Sequence, residues 1–233
     1  MPTVAFVSPK GGAGKTTAAL LLALGLNDMG RRVAMIDADP NRPLVHWANL
    51  PERPDKITVH PAPTEADLRD ALREAQATRA QWIILDTEGS PRPGLAFAAV
   101  TPDLVLTPLT ASALEAIQAI RAAEMVREAA KRLRRPIVHR GLLTRMPAAL
   151  RTRSLKKVVS QLHASQVEIL PTAIIEKEAF RTLFALGGSL ADLESQGLYG
   201  VTAARVNAGA YVAAVLDLFD TPAQGDPPAI ANA

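Results

Sequence analysis

The stretch Ser8-Pro9-Lys10-Gly11-Gly12-Ala13-Gly14-Lys15-Thr16-Thr17 decides the fold of this 233-residue chain. It follows the apolar run Val4–Ser8, which predicts a short buried strand, and it opens the Ala- and Leu-rich run Thr16–Met29, which predicts a helix. A glycine-rich turn between a strand and a helix can point successive peptide N–H groups at a phosphate, and the helix N-terminus adds its positive end. The sequence therefore predicts a phosphate-binding loop.

The polar side chains of this loop have predicted roles in holding a nucleotide. Lys15 is placed to reach the β- and γ-phosphates, and Thr16 is placed to offer its hydroxyl to Mg²⁺. The rest of the predicted nucleotide contact set from the loop is Lys10, Gly11, Gly12, Ala13, Gly14 and Thr17.

The loop departs from the standard G-x-x-x-x-G-K-[ST] pattern, because Pro9 stands at the first glycine and Lys10 precedes the double glycine. The run K-G-G-A-G-K-T-T resembles the deviant Walker A signature of the ParA/MinD family, and the resemblance extends from Val4 to about Phe219. It implies an ATPase that uses ATP and Mg²⁺ and forms a homodimer with ATP, in which Lys10 of each chain reaches the partner's nucleotide. The alternative for Lys10 is an exposed loop lysine without this role.

Three aspartates follow two predicted strands, at the edge where open α/β sheets bind ligands. Asp37 and Asp39 come after Arg32–Ile36, and Asp86 comes after Trp82–Leu85. A helix-capping aspartate is the structural alternative at each position.

The resemblance assigns roles to these aspartates. The run Asp37-Ala38-Asp39-Pro40 resembles the family's D-x-D-P element, so Asp39 is expected to orient the attacking water and to form the catalytic set with Lys10 and Lys15. Asp86 resembles a Walker B aspartate and is expected to hold Mg²⁺ with Thr16. Asp37 is expected either to support the metal site or to position the loop.

Later segments resemble those that surround the nucleotide in the family. Pro108 lies in a stretch that shapes the pocket, and Thr144-Arg145 matches a position that contacts the base. Pro171 and Thr172, within Leu170–Ile174, and the later stretch from Ala179-Phe180 to Gly187-Gly188 resemble segments where the backbone approaches adenine. Gly89 stands one residue early for the family's D-T-x-x-G contact to the γ-phosphate.

Apolar runs of about five residues alternate with helical patterns along the chain, and the last predicted short strand is Val167–Leu170. This alternation favours an α/β fold with a doubly wound, mainly parallel sheet and helices on both faces. We expect one ATPase domain over residues 1–220. The stretch 221–233, rich in Pro and Ala, is predicted to be a disordered tail.

Composition excludes several kinds of function. The chain has no cysteine, which rules out disulfides, thiolate catalysis and iron–sulfur ligation. No apolar run approaches the ~18 residues of a membrane span, and the N-terminus lacks a signal-peptide pattern. These observations predict a cytoplasmic protein without membrane binding, and the family resemblance implies a bacterial protein associated with the nucleoid or a plasmid.

Basic residues are concentrated between Arg121 and Lys157, where twelve Lys and Arg stand against Glu124 and Glu128. Such a run is either a solvated helix face or a surface for an anionic partner, with nucleic acid ahead of membrane. The predicted contacts to duplex DNA, expected to be salt-sensitive and non-specific, are Arg151, Arg153, Lys156 and Lys157.

Three functions of different kinds remain open. The first is a ParA-like switch that binds DNA for partition or for transfer-origin processing, with a small activator or adaptor protein as a further partner. Asn41-Arg42-Pro43-Leu44 and Trp47 resemble the VirC-type branch of that family, although they also fit a polar turn entering a helix that buries Leu44 and Trp47. The second is an ATPase that positions a protein cargo, and the third is a P-loop kinase or synthetase for small molecules.

Overall fold

The structure is a computed structural model that describes residues 1–88, 101–147 and 153–220, with Arg153 described in its backbone alone. The expectations for Gly89, for Arg151 and for the stretch 221–233 lie outside these residues.

Among the described residues, six strands form one parallel sheet in the order β3-β2-β4-β1-β5-β6. β1, which leads into the phosphate loop, is therefore an interior strand, and its carboxyl end lies beside those of β4 and β5. The strands are β1 Thr3–Phe6, β2 Val33–Ala38, β3 Ile57–Pro61, β4 Trp82–Thr87, β5 Leu104–Leu109 and β6 Val138–Leu143.

Eight helices connect or follow these strands within the described part of the chain. Most are amphipathic, but α1 is buried on nearly all sides, as its run of Ala and Leu requires. The helices are α1 Lys15–Asp28, α2 Pro43–Ala48, α3 Glu65–Ala77, α4 Ala113–Leu133, α5 Arg153–Ala164, α6 Glu178–Leu186, α7 Leu190–Ser195 and α8 Val201–Asp220. None of these helices is both long enough and apolar enough to cross a lipid bilayer.

Alternate side chains of each strand face opposite layers of helices. Val4 and Phe6 of β1 join the cluster with α1, α2 and α6 to α8, whereas Ala5 points into the cluster with α3 and Val126 of α4. A third cluster lies between α4, α5 and the ends of β5 and β6. The predicted doubly wound parallel fold is confirmed.

The segment Val167–Leu170, which we expected to form a last strand, pairs with the sheet only through an isolated bridge between Ile169 and Gly141. The Gly141 N–H donates to Glu168 and the Leu170 N–H donates to Gly141, and the next residue, Pro171, has no N–H with which to extend the pairing. That prediction was wrong. The sequence pattern also missed α7, which its Ser189 and Asp192 capping box begins.

Candidate nucleotide-binding site

The phosphate loop runs from the end of β1 to the first turn of α1. Gly14 is the N-cap residue of α1 and has a φ of 88°, and Gly12 has a φ of 80°. Both values lie in the left-handed region, which a residue with a Cβ adopts only with strain. A Cβ on Gly14 would also lie 3.3 Å from Thr144 Cβ, so the loop needs glycine here for conformation and for space.

A cleft of about 340 Å³ opens in front of this loop. One side is polar and comes from the loop, the start of α1 and Asp39, and the other side comes from the segment before α6 and from α6 itself. The lining residues are Gly11, Gly12, Gly14, Lys15, Thr16, Thr17, Asp39, Thr144, Arg145, Ile174, Ile175, Glu176, Lys177, Phe180, Arg181 and Phe184. Lys10 and Ala13 do not line it.

Lys15 lies inside the cleft with 6% of its surface exposed. Burial lowers the pKa of its ammonium group below the ordinary value, while the charges of Asp86, Asp39 and Glu88 act in the opposite direction. Its Nζ atom lies 3.5 Å from the Lys10 carbonyl oxygen, at the limit of a hydrogen bond. A buried cation at a helix N-terminus suits an anionic ligand such as a phosphate group.

Thr16 and Asp86 lie together at the floor of the site. The Thr16 hydroxyl donates a hydrogen bond of 2.6 Å to Asp86 Oδ2, and Asp86 is fully buried at the end of β4. Burial raises the pKa of Asp86 to about 7, although the Thr16 hydrogen bond and the Lys15 charge lower it. Asp86 Oδ1 is buried without a hydrogen-bond partner among the described residues. A hydroxyl and an unpartnered carboxylate oxygen are the donors that Mg²⁺ prefers, so these two residues fit the predicted metal site.

Asp37 is equally buried but its carboxylate is occupied by backbone donors. Oδ2 accepts hydrogen bonds from the Leu44 N–H (2.8 Å) and the Val45 N–H (3.0 Å), and Oδ1 lies 3.3 Å from the Asp39 nitrogen. Burial raises its pKa, while these three backbone groups lower it. Of the two roles expected for Asp37, this geometry supports the positioning of the loop.

Asp39 enters the cleft from the loop after β2. Its Oδ1 accepts hydrogen bonds from the backbone N–H (2.8 Å) and the side-chain amide (3.0 Å) of Asn41. The carboxylate is therefore oriented by Asn41, a residue that the sequence analysis did not assign to the site. An oriented carboxylate at the mouth of a phosphate site can position a water molecule.

Lys10 lies on the loop outside the cleft, with 55% of its side chain exposed. Its Nζ is 3.6 Å from Glu115 Oε1, and Glu115 Oε2 accepts a hydrogen bond of 2.6 Å from the Thr110 N–H. Sequence reasoning missed Glu115. The spacing Ser112-x-x-Glu115 indicates a capping box, but the Ser112 side chain caps nothing and Glu115 turns to Lys10 and Thr110 instead.

Thr144 and Arg145 follow β6 and contact the loop backbone. Thr144 Oγ1 donates a hydrogen bond of 2.7 Å to the Ala13 carbonyl oxygen, and Arg145 Nη1 donates one of 3.1 Å to the Gly12 carbonyl oxygen. Glu176 holds Arg145 through an ion pair of 3.6 Å and also accepts a hydrogen bond of 2.5 Å from Arg181.

Besides Lys10 and Ala13, three further predicted nucleotide contacts fall outside the cleft lining. Pro108 lies within β5, and Pro171 and Thr172 precede the residues 174–177 that line the cleft. The apolar side of the cleft includes Phe180 and Phe184 of α6. The resemblance indicated Phe180, but the sequence analysis did not assign Phe184 to the site. The spacing of four residues between them on one helix face is the signal that could have found Phe184.

The predicted DNA contacts that the structure describes with side chains are Lys156 and Lys157. Both are exposed on α5, whose opposite face buries Val158 and Leu162. Further exposed basic residues on and after α4 make no ion pair with a described carboxylate, namely Arg121, Arg127, Arg132 and Arg134.

Comparison with known proteins places this loop, cleft and sheet in a family. The family model described as VirC1 protein matches residues 1–220. The chain belongs to the VirC1 family. It is 34% identical to Protein ParA of Rhizobium radiobacter over 216 residues, which cover 92% of this chain and 96% of that protein. It is also 28% identical to Protein virC1 of Rhizobium radiobacter over 187 residues, 78% of this chain and 80% of that protein.

A solved structure of the same fold is the ATP complex of an aspartate-to-alanine variant of McdA from Cyanothece. It superposes with a TM-score of 0.71 and 19% identity, covering 92% of this chain and 96% of that one. The VirC1-family chain is thus a ParA/MinD-like P-loop ATPase by fold and family, and the predicted resemblance is confirmed.

Proposed function

We propose that this VirC1-family chain is an ATP-driven switch that pairs with a second copy around ATP, hydrolyses it slowly and thereby positions DNA. The observation that carries the proposal is the division between the two lysines of the loop. Lys15 is buried inside the cleft, whereas Lys10 stands outside it and is more than half exposed. Because Lys10 lies outside the cleft of its own chain, its ammonium group can contact the phosphates bound by a facing copy.

The chain's own groups provide the chemistry of a slow ATPase. Lys15 and the N-terminus of α1 neutralise phosphate charge, and Asp39 orients the attacking water through a carboxylate that Asn41 holds. When bound, Mg²⁺ supplies further neutralisation of the phosphate charge, with Thr16 and Asp86 as its protein partners.

The cargo is proposed as duplex DNA because exposed cations on α4 and α5, among them Lys156 and Lys157, make no ion pair with a described carboxylate and give a surface for backbone phosphates. A small adaptor protein is proposed as an additional partner. Partition of DNA and processing at a transfer origin both fit a relative of ParA and virC1. If this basic surface does not bind DNA, the alternative function is the positioning of a protein cargo.

Light scattering with ATP and Mg²⁺, with ADP, and without nucleotide tests the switch. We expect the mass to double with ATP and Mg²⁺ but not with ADP or without nucleotide. We expect Lys10→Ala to stay monomeric under all three conditions, because it lacks the cation that reaches the phosphates of the facing copy. Lys10→Ala should still bind ATP in equilibrium dialysis, since Lys10 does not line the cleft.

Lys56→Ala, which removes an exposed lysine remote from the loop in sequence, is the matched control and should dimerise normally. An unchanged dimer in Lys10→Ala would remove the cross-dimer role of Lys10.

A further inference from the structure

Two consecutive residues at the end of β6 hold two consecutive peptide groups of the phosphate loop. Arg145 Nη1 donates to the Gly12 carbonyl oxygen at 3.1 Å, and Thr144 Oγ1 donates to the Ala13 carbonyl oxygen at 2.7 Å. These hydrogen bonds join residues more than 130 positions apart in the chain. Both hydrogen bonds are accepted by the loop backbone.

The direction of a peptide carbonyl determines the direction of the following N–H. All described peptide bonds are trans, so each C=O points opposite to the N–H of the next residue. With the Gly12 and Ala13 carbonyl oxygens turned toward Arg145 and Thr144, the N–H groups of Ala13 and Gly14 point away from those side chains. Neither N–H donates a hydrogen bond to another described residue.

Thr144 is buried and packs closely against the loop. It is 1% exposed, its own N–H donates to the Leu109 carbonyl at 2.9 Å, and its Cβ would lie 3.3 Å from a Cβ on Gly14. The hydroxyl lies 2.7 Å from the Ala13 carbonyl oxygen and 3.3 Å from the Leu109 carbonyl oxygen, so the loop carbonyl is the nearer of its two acceptors.

Arg145 is constrained in both its backbone and its side chain. Its backbone has a φ of 52°, a strained value for a residue other than glycine, and its guanidinium is paired with Glu176. Glu176 in turn is fixed by the hydrogen bond from its N–H to the Met146 carbonyl at 2.8 Å. Strain that the surrounding structure maintains at a ligand site is typical of a functional constraint.

We propose that Thr144 and Arg145 are positioning residues of the phosphate cradle, which aim the Ala13 and Gly14 N–H groups at the nucleotide phosphates. This role replaces the contact to the base that the resemblance implied for them. The inference rests on the proposed binding of ATP. It means that the residues at the end of β6 pre-organise the phosphate loop.

The two roles predict opposite patterns of ligand affinity, which isothermal titration calorimetry with ATP, GTP and inorganic tripolyphosphate separates. We expect Thr144→Val and Arg145→Gln each to weaken the binding of all three ligands by about 3- to 10-fold, which corresponds to one hydrogen bond. The ratio of the ATP and GTP affinities should not change. A variant that alters this ratio, or that leaves tripolyphosphate affinity intact, would overturn the inference.

Conservative and control variants separate positioning from general loss of structure. Thr144→Ser keeps the hydroxyl and should bind ATP and tripolyphosphate more tightly than Thr144→Val. If the loss of affinity came only from the altered shape of the side chain, Thr144→Ser would also bind weakly. Arg205→Gln removes an arginine of α8 that is likewise paired with a glutamate, Glu194, but lies outside the cleft lining, so it should bind tripolyphosphate like the unmodified chain.

The unmodified chain distinguishes this inference from the proposed function. If it binds neither ATP nor tripolyphosphate, the proposed function fails and the inference falls with it. If it binds both and Arg145→Gln binds them equally well, the inference alone is wrong.

Discussion

Asp37 and Asp86 are neighbours in register on β2 and β4, and neither is exposed to solvent. Their partners nevertheless give them different chemistry. Asp37 accepts hydrogen bonds from backbone N–H groups on both oxygens, so its lone pairs are committed to the fold. Asp86 accepts one hydroxyl and keeps one oxygen without a partner among the described residues, which leaves it available to a cation. Burial alone would not have separated the two roles.

His139 shows how a single partly buried residue makes stability depend on pH. Its Nε2 lies 2.9 Å from Thr107 Oγ1, and burial together with Arg127 and Arg140 lowers its pKa from 6.5 to about 4. The unfolded chain therefore binds the proton more readily than the folded one between these values, so the free energy of unfolding falls as the pH falls from about 6.5 through about 4.

The variant His139→Gln should remove this dependence because glutamine does not titrate. The difference in unfolding free energy between the unmodified chain and the variant should change by up to about 3 kcal/mol between pH 7 and pH 4, measured by urea denaturation. His163→Gln, at an exposed position of α5, is the control and should leave the curve unchanged. Parallel curves for the unmodified chain and His139→Gln would contradict the assignment.

At the scale of elements, α2 is too short to be stable by itself. It has six residues, and it is held by the Asp37 carboxylate at its first N–H groups and by the burial of Leu44 and Trp47. The structural alternative for this stretch, a turn entering a helix that buries both residues, is therefore confirmed, and the VirC-type resemblance of the same stretch holds as well. The helix also fixes the loop that carries Asp39.

The α5 helix divides its faces between the core and solvent. Because Lys156 and Lys157 lie on the exposed face, we expect the double variant Lys156→Ala/Lys157→Ala to weaken ATP-dependent binding to arbitrary duplex DNA. In gel shifts at several salt concentrations, the slope of log affinity against log salt should decrease by roughly 1 for each DNA phosphate that the variant no longer neutralises.

Lys56→Ala is again the matched control for removal of one exposed positive charge and should keep the original slope. A double variant with the affinity and slope of the unmodified chain would assign α5 to the solvated surface. Absence of DNA binding in every nucleotide state would favour a protein cargo.

At the scale of the whole molecule, the parallel sheet gathers the site from distant parts of the chain. The carboxyl ends of β1, β2 and β4 bring the loop, Asp39 and Asp86 to one edge. The segments after β6 and at α6 then close the cleft from the other side. In the proposed switch, two copies that meet at this edge would enclose both nucleotides, so hydrolysis would control the assembly.

The variant Asp39→Ala should lock this cycle in its assembled state. Without the carboxylate that orients the water, ATP should bind but hydrolysis should fall by at least about 100-fold, the usual effect of losing a general base. Light scattering should then show a dimer that persists after free ATP is removed. Asn41→Ala, which removes one of the two hydrogen bonds from Asn41 to Asp39, should have a smaller effect.

Normal turnover by Asp39→Ala would assign the catalytic carboxylate elsewhere. A variant that neither binds ATP nor dimerises would indicate that Asp39 supports the site's structure.

The local sequence was sufficient for the elements that depend on neighbouring residues. The glycine-rich turn with Lys15 and Thr16, the helix after it and the apolar strands follow from residue spacing alone, because loop conformation and strand burial are set by residues close in the chain. The doubly wound parallel class followed from the alternation of these elements.

The tertiary structure decided the contacts that join distant segments. Glu115 turns from a capping position to Lys10, Thr144 and Arg145 bind the loop backbone, and Phe180 and Phe184 complete the cleft. The spacing of Phe180 and Phe184 is a local pattern, but the contacts of Glu115, Thr144 and Arg145 depend on which strands lie side by side and how far their ends extend. The sequence by itself therefore predicted a phosphate-binding loop at the end of β1, and the packing of the sheet determined which residues surround that loop.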